Sequence, residues 1–140
     1  MEFKKINKLL VKGNSNTSIS KHDQFDHENK TWERSLDFFK QENAFLKTHL
    51  SVVTDSNDDK EFIKLAEYFQ NQFLLKDEFI KGLKVDITKQ KYEIKIHLKN
   101  DKIPKDILNR QETIRKEVSY FEIDFSRLKS EFHQLVTQFL

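Results

Sequence analysis

PKDILNRQETIRKEVSYFEIDFSRLKSEFHQLVTQF, residues 104–139, decides the fold. Ile107, Gln111, Ile114, Val118, Phe121, Phe125, Leu128, Phe132, Leu135 and Phe139 follow one another in alternating steps of four and three. All but Gln111 are apolar, so one unbroken stripe runs along a helix of ten turns. Pro104 stands at the position a helix start favours, and Asp106 places a negative charge in the first turn, where the helix dipole welcomes it. A stripe of this regularity requires neighbours along its whole length.

Upstream, the neighbours are legible. Trp32, Leu36, Phe39, Asn43, Leu46, Leu50 and Val53 repeat the same steps, with Asn43 the one polar interruption. Thr54-Asp55-Ser56-Asn57-Asp58-Asp59 ends that run and offers capping residues for the next, with Asp58 three positions before Glu61. A second run then passes through Phe62, Ala66, Phe69, Phe73, Lys76, Ile80, Leu83, Ile87, Gln90, Ile94 and His97. Its last third is ambiguous. Tyr92, Ile94, Ile96 and Leu98 alternate with polar residues at the period of a strand, with Val85 and Ile87 as a candidate hairpin partner. Thr88-Lys89-Gln90 contains no Gly, Asn or Asp for a tight turn, and a lone hairpin is marginal, so we expect continuous helix.

The expected architecture is all-α: an antiparallel three-helix bundle of coiled-coil character, with helices over about 28–54, 58–98 and 104–139. The 140 residues make one domain at 27–140 and a tail at 1–26. Residues 13–24 are small and polar, and read as a flexible linker. Phe3, Ile6, Leu9 and Leu10 before it suit a short amphipathic helix. On these bounds the first helix is about 40 Å long and its neighbours about 60 and 54 Å. The tip between the second and third helices, from Thr88 to Gln111, is then expected to lie open, covered by the segment 3–11, by a second copy or by a partner.

Composition excludes several classes of function. Two glycines supply no phosphate-cradling loop, and the lack of cysteine removes disulfides, thiolate zinc sites and a cysteine nucleophile. The 25 basic and 23 acidic residues leave a net charge of +2. By segment the net is +2 over 1–26, −1 over 27–56, +1 over 57–103 and zero over 104–140. No nucleic-acid partner is expected from so weak a field. Lysines interrupt the first twelve residues, and no apolar run approaches membrane-spanning length, so no membrane association and a cytoplasmic location are expected.

Chemistry is sparse. His22-Asp23-Gln24-Phe25-Asp26-His27-Glu28 is the one dense set of metal-capable side chains, and His22, Asp26 and His27 are its candidate ligands. The plainer reading makes Asp26 a helix cap, with Glu28 favouring the positive helix end. His97 lies on the second seam and His133 on the last helix, and no Glu-x-x-His pair occurs anywhere. No enzyme activity and no cofactor are therefore expected. Asn43, Lys76, Gln90 and Gln111 interrupt the seams, where polar residues set register or line a small pocket. Gly82, beside Leu83, permits a close backbone approach or a bend.

The surface is more telling. Lys81, Lys84, Lys91, Lys95, Lys99 and Lys102 fall within about 80° of one another on a helical wheel. Apolar residues also exceed what one stripe needs, among them Leu65, Leu74, Leu75, Phe79, Val85, Tyr92, Ile96 and Leu98. Such a surplus widens a core face or marks an association surface. We expect Lys84, Lys91, Lys95, Lys99, Tyr92 and Ile96 to meet a protein partner or a second copy. A bundle that binds a small ligand or divalent metal is the alternative.

Ala66-Glu67-Tyr68-Phe69-Gln70-Asn71-Gln72-Phe73, Leu83-Lys84-Val85-Asp86-Ile87 and Ser130-Glu131-Phe132-His133-Gln134-Leu135, with Trp32 opening the first helix, form a recognisable set. Over about 27–140 the chain resembles a family of small, uncharacterised all-helical bacterial proteins with a Phe-Gln-Asn-Gln-Phe-type segment in the second helix. The resemblance implies helix over 85–98 and nothing about activity. Of Gln70, Asn71 and Gln72, at least one is expected to hydrogen-bond a neighbouring helix.

Overall fold

The computed structural model describes residues 17–99 and 102–139, with side chains from Lys21 onward. Three helices follow in order: α1 (Thr17–Asp55), α2 (Lys60–Ile96) and α3 (Lys105–Phe139). They pack as an all-α three-helix bundle, and no strand occurs among the described residues. The stretch 85–96 is helix, as the missing turn residue argued.

Each connection is built from short-range bonds. The amides of Ser56 and Asn57 donate to the carbonyls of Val53 and Thr54, winding down α1. Asp59, not Asp58, caps α2, its carboxylate accepting from the Glu61 and Phe62 amides at 2.8 and 3.1 Å. At the other turn His97 closes α2, its amide donating to the Ile94 and Lys95 carbonyls. The Pro104 carbonyl accepts from Ile107 and Leu108 and so starts α3.

The helices hold 39, 37 and 35 residues, about 59, 56 and 53 Å. This near-equality corrects two expectations. Residues 17–24 are helix rather than flexible linker, and the tip is covered by α1 itself. The seam of α1 continues back from Trp32 through Asn29, Phe25 and His22, at the same steps of three and four, and all four are buried. Phe25 packs with Ile94, Ile103 and Ile107 into a small core that closes the tip. The docking expected of residues 3–11 lies outside the described residues.

The main core runs from Trp32 to the opposite end, or base, where Val53, Phe62 and Leu135 lie buried and Phe139 packs against them. Its packing is largely aromatic. Phe132 sits edge-on to Phe73 and Phe69 at 5.4 and 5.6 Å, and Phe39 sits edge-on to Phe121 and Phe125. Gly82 has no part in this packing. A methyl added there meets nothing within 4 Å, so the helix needs neither close approach nor relief at that point.

Candidate functional site

Polar side chains occupy two levels of the bundle. Near the tip, between the small core and the main core, Asn29, Gln90 and Gln111 form a wholly buried layer with one amide from each helix. Gln90 donates to the Gln111 side chain at 3.0 Å and to the Ile107 carbonyl at 2.7 Å. Gln111 donates to Asn29 at 3.0 Å and to Glu28 at 2.9 Å. Arg115 then grips Glu28 with two bonds of 2.7 Å, and Arg110 donates to Gln90. Burial raises the Glu28 pKa, but bonds from Arg115 and Gln111 and the Arg115 charge outweigh it and hold the carboxyl below its ordinary range.

Halfway along, Asn43 donates to the Phe73 carbonyl at 2.8 Å and to Asp77 at 2.7 Å, and Lys47 pairs with the same carboxylate. Lys76 pairs with Asp124, which Arg127 also holds. The Lys76 hydrogen bond is the chief cause that keeps the Asp124 carboxyl below its usual value, with Arg127 assisting against burial. The four polar interruptions of the seams thus bond across helices, which fixes which residue faces which.

The candidate metal ligands do not converge. The His22 ring is buried at the tip with Nε2 3.1 Å from the His97 carbonyl, whereas Asp26 pairs with Lys30 and His27 is exposed. Asp26 and Glu28 lie inside α1, so neither acts at its start. No group of three or more metal-capable side chains forms among the described residues. His97 Nδ1 lies 3.0 Å from the Glu93 carbonyl, and His133 is exposed towards the base. Among the described residues, Gln70, Asn71 and Gln72 make no side-chain hydrogen bond, contrary to expectation, because the core side of that stretch belongs to Phe69 and Phe73.

Two apolar features stand out on the surface, beside other exposed side chains such as Leu75, Tyr120 and Ile123. Phe38, Phe45 and Val52 recur every seven residues on α1, yet are 58, 65 and 61 % exposed. They form a second, outward seam on a helix whose inner seam is buried. His49 extends this seam towards α3 by stacking edge-on against Phe132 at 5.5 Å. The other feature is a groove of about 900 Å³ between α1 and α2, with Ala44, Ile80 and Val85 in its lining. Val85, Tyr92 and Ile96, each more than half exposed, share one face of α2 beside and beyond it.

The sequence-predicted contact residues divide on this surface. Lys84 pairs with Asp37 and Lys91 with Glu33, both on α1, so these two hold the bundle together. Lys95, Lys99, Tyr92 and Ile96 are exposed, and neither lysine has an ion pair among the described residues. The outward seam of α1 escaped sequence reading because Trp32–Val53 accounted for that helix. Its signal was the spacing of Phe38, Phe45 and Val52. No helix is long and apolar enough to cross a membrane among the described residues. Comparison with protein-family models, with curated proteins and with solved structures finds no match to this chain.

Proposed function

We propose that this chain is a non-enzymatic helical bundle that works through protein contacts, as a scaffold, an adaptor or a self-associating unit. The outward seam of α1 carries this reading. Three large apolar side chains at seven-residue spacing, each more than half exposed, leave a stripe of the kind a partner helix covers in a coiled-coil interface. Burying each removes apolar area at about 25 cal/mol per Å², and two aromatic rings make effective anchors.

A photo-crosslinking residue at position 45 of the full chain tests it, together with sedimentation of the purified protein. A discrete adduct, or a concentration-dependent dimer, that disappears with Phe38→Glu and Val52→Glu is the expected result. A strict monomer that gives no adduct at position 45 in its native cell overturns the reading.

A further inference from the structure

We propose that the groove between α1 and α2 docks an acidic, amphipathic helix of a partner protein. This rests on the protein-contact reading but assigns a different face from the outward seam of α1. The lining combines an apolar floor with an excess of positive charge. Ile80 is buried at the bottom, Ala44 and Val85 are exposed beside it, and five lysines line the walls against the two carboxylates of Asp77 and Glu78. Lys47 is tied to Asp77 and Lys84 to Asp37. Lys40, Lys81 and Lys89 have no ion pair among the described residues, and they surround the floor from both helices. An occupant that buries apolar side chains on Ile80 and Val85 while meeting three free ammonium groups is apolar on one side and acidic on its flanks.

Length and charge narrow the occupant further. The lining spans Asp77 to Lys89 on α2, about 18 Å of helix, and Tyr92 and Ile96 carry the same face to about 28 Å. That matches a helical segment of about 12–18 residues. The chain itself offers no such segment. Residues 1–12 hold four lysines and one glutamate, and none of the stretches 1–26, 27–56, 57–103 and 104–140 is more negative than −1. A phosphate polyanion is the poorer fit. It has no apolar side to cover Ala44, Ile80 and Val85, which an amphipathic helix buries while its flanks meet the lysines.

Fluorescence anisotropy of the full chain with labelled 18-residue synthetic helices tests the assignment. The probe carries leucine along one face and glutamate elsewhere. One control replaces glutamate with lysine, and a second keeps glutamate but replaces leucine with serine. We expect the probe to bind at least tenfold more tightly than either control and to weaken as salt rises. Lys40→Glu/Lys81→Glu/Lys89→Glu should weaken it at least tenfold, with helix content unchanged by circular dichroism, and Val85→Asp should weaken it independently. Phe38→Glu/Phe45→Glu should leave it unaltered.

Equal binding of probe and controls, or indifference to the triple variant, overturns the proposal. So does an oligonucleotide that binds as tightly as the probe and is lost in the same variant, which reassigns the groove to phosphate. A dimer of the unmodified chain that the triple variant dissolves overturns it as well. If the groove fails these tests while crosslinks still form at position 45, the docking assignment falls and the protein-contact reading stands.

Discussion

The tip and the base of this bundle solve the same packing problem with different chemistry. At the base, Phe62, Phe69, Phe73, Phe132 and Phe139 fill the space between helices with rings at 5.3–6.2 Å, and position is set by shape. Near the tip, the corresponding level is held by Asn29, Gln90 and Gln111, whose side-chain bonds admit few arrangements. Apolar packing supplies the larger stabilisation but tolerates sliding by a heptad. An amide layer adds little net stability, and it penalises every register that breaks the Gln90–Gln111 and Gln111–Asn29 bonds. A bundle of three similar seams gains from having both.

Removing a fully buried ring at the base should have the largest effect. Phe132 is fully buried among Phe69, Phe73 and His49, so Phe132→Ala should lower unfolding stability by about 3–5 kcal/mol, read from the denaturation midpoint. At the tip, Gln111→Ala leaves the buried Asn29 oxygen without its donor and takes one bond each from Gln90 and Glu28, which keep Ile107, Arg110 and Arg115, and should cost about 1–3 kcal/mol. The paired change Gln90→Leu/Gln111→Leu is the sharper measurement. If the layer serves register, the double variant should be more stable than Gln111→Ala while the alignment of α2 and α3 loosens, seen as broadened amide resonances near Ile107. A double variant that is less stable and still well ordered would refute the register role.

Between these regions, Gly82→Ala should stabilise the protein by about 1 kcal/mol. The added methyl meets nothing and a glycine is removed from a helix interior, so thermal melting should move upward. The smallest effect is in the acid limb. Glu28 and Asp124 both have lowered pKa values when folded. Their contribution is complete above the unfolded values of about 4.3 and 3.9, and is lost as pH falls through the lower folded values. Stability should therefore decline below about pH 4.3, and Glu28→Gln should flatten that slope at the tip, leaving the Asp124 part intact.

Much of the architecture was legible in the sequence because periodicity is local. The steps of four and three in Ile107–Phe139 require a helix with one apolar stripe, whatever its partners are. The same pattern placed the seams of α1 and α2 and most of the buried phenylalanines. The start of α1 was hidden for a physical reason. His22 and Asn29 occupy seam positions but are polar, and a polar letter in an apolar period reads as the end of a helix. Phe25 alone kept the period there. Burial of His22 follows from the His97 carbonyl beside it, and burial of Asn29 from the Gln111 amide, and both partners lie more than 70 residues away.

Of the candidate surface, the sequence identified the exposed Tyr92, Ile96, Lys95 and Lys99 but assigned Lys84 and Lys91 to the same role. Those two lysines carry the same charge on the same helix face. Only the approach of Asp37 and Glu33 from α1 turns them into internal ties. Gly82 and the Gln70–Gln72 stretch show the converse, where residues that looked structural make no demand on their surroundings.

The sequence by itself determined that the chain is three amphipathic helices with aromatic seams, because apolar spacing sets which face must leave water. Tertiary structure alone decided which polar residues bond across the core, which lysines along the α1–α2 groove lack an ion pair among the described residues, and that Phe38, Phe45 and Val52 stay outside. A side chain's partner across the bundle depends on how helices dock, and no local period encodes that.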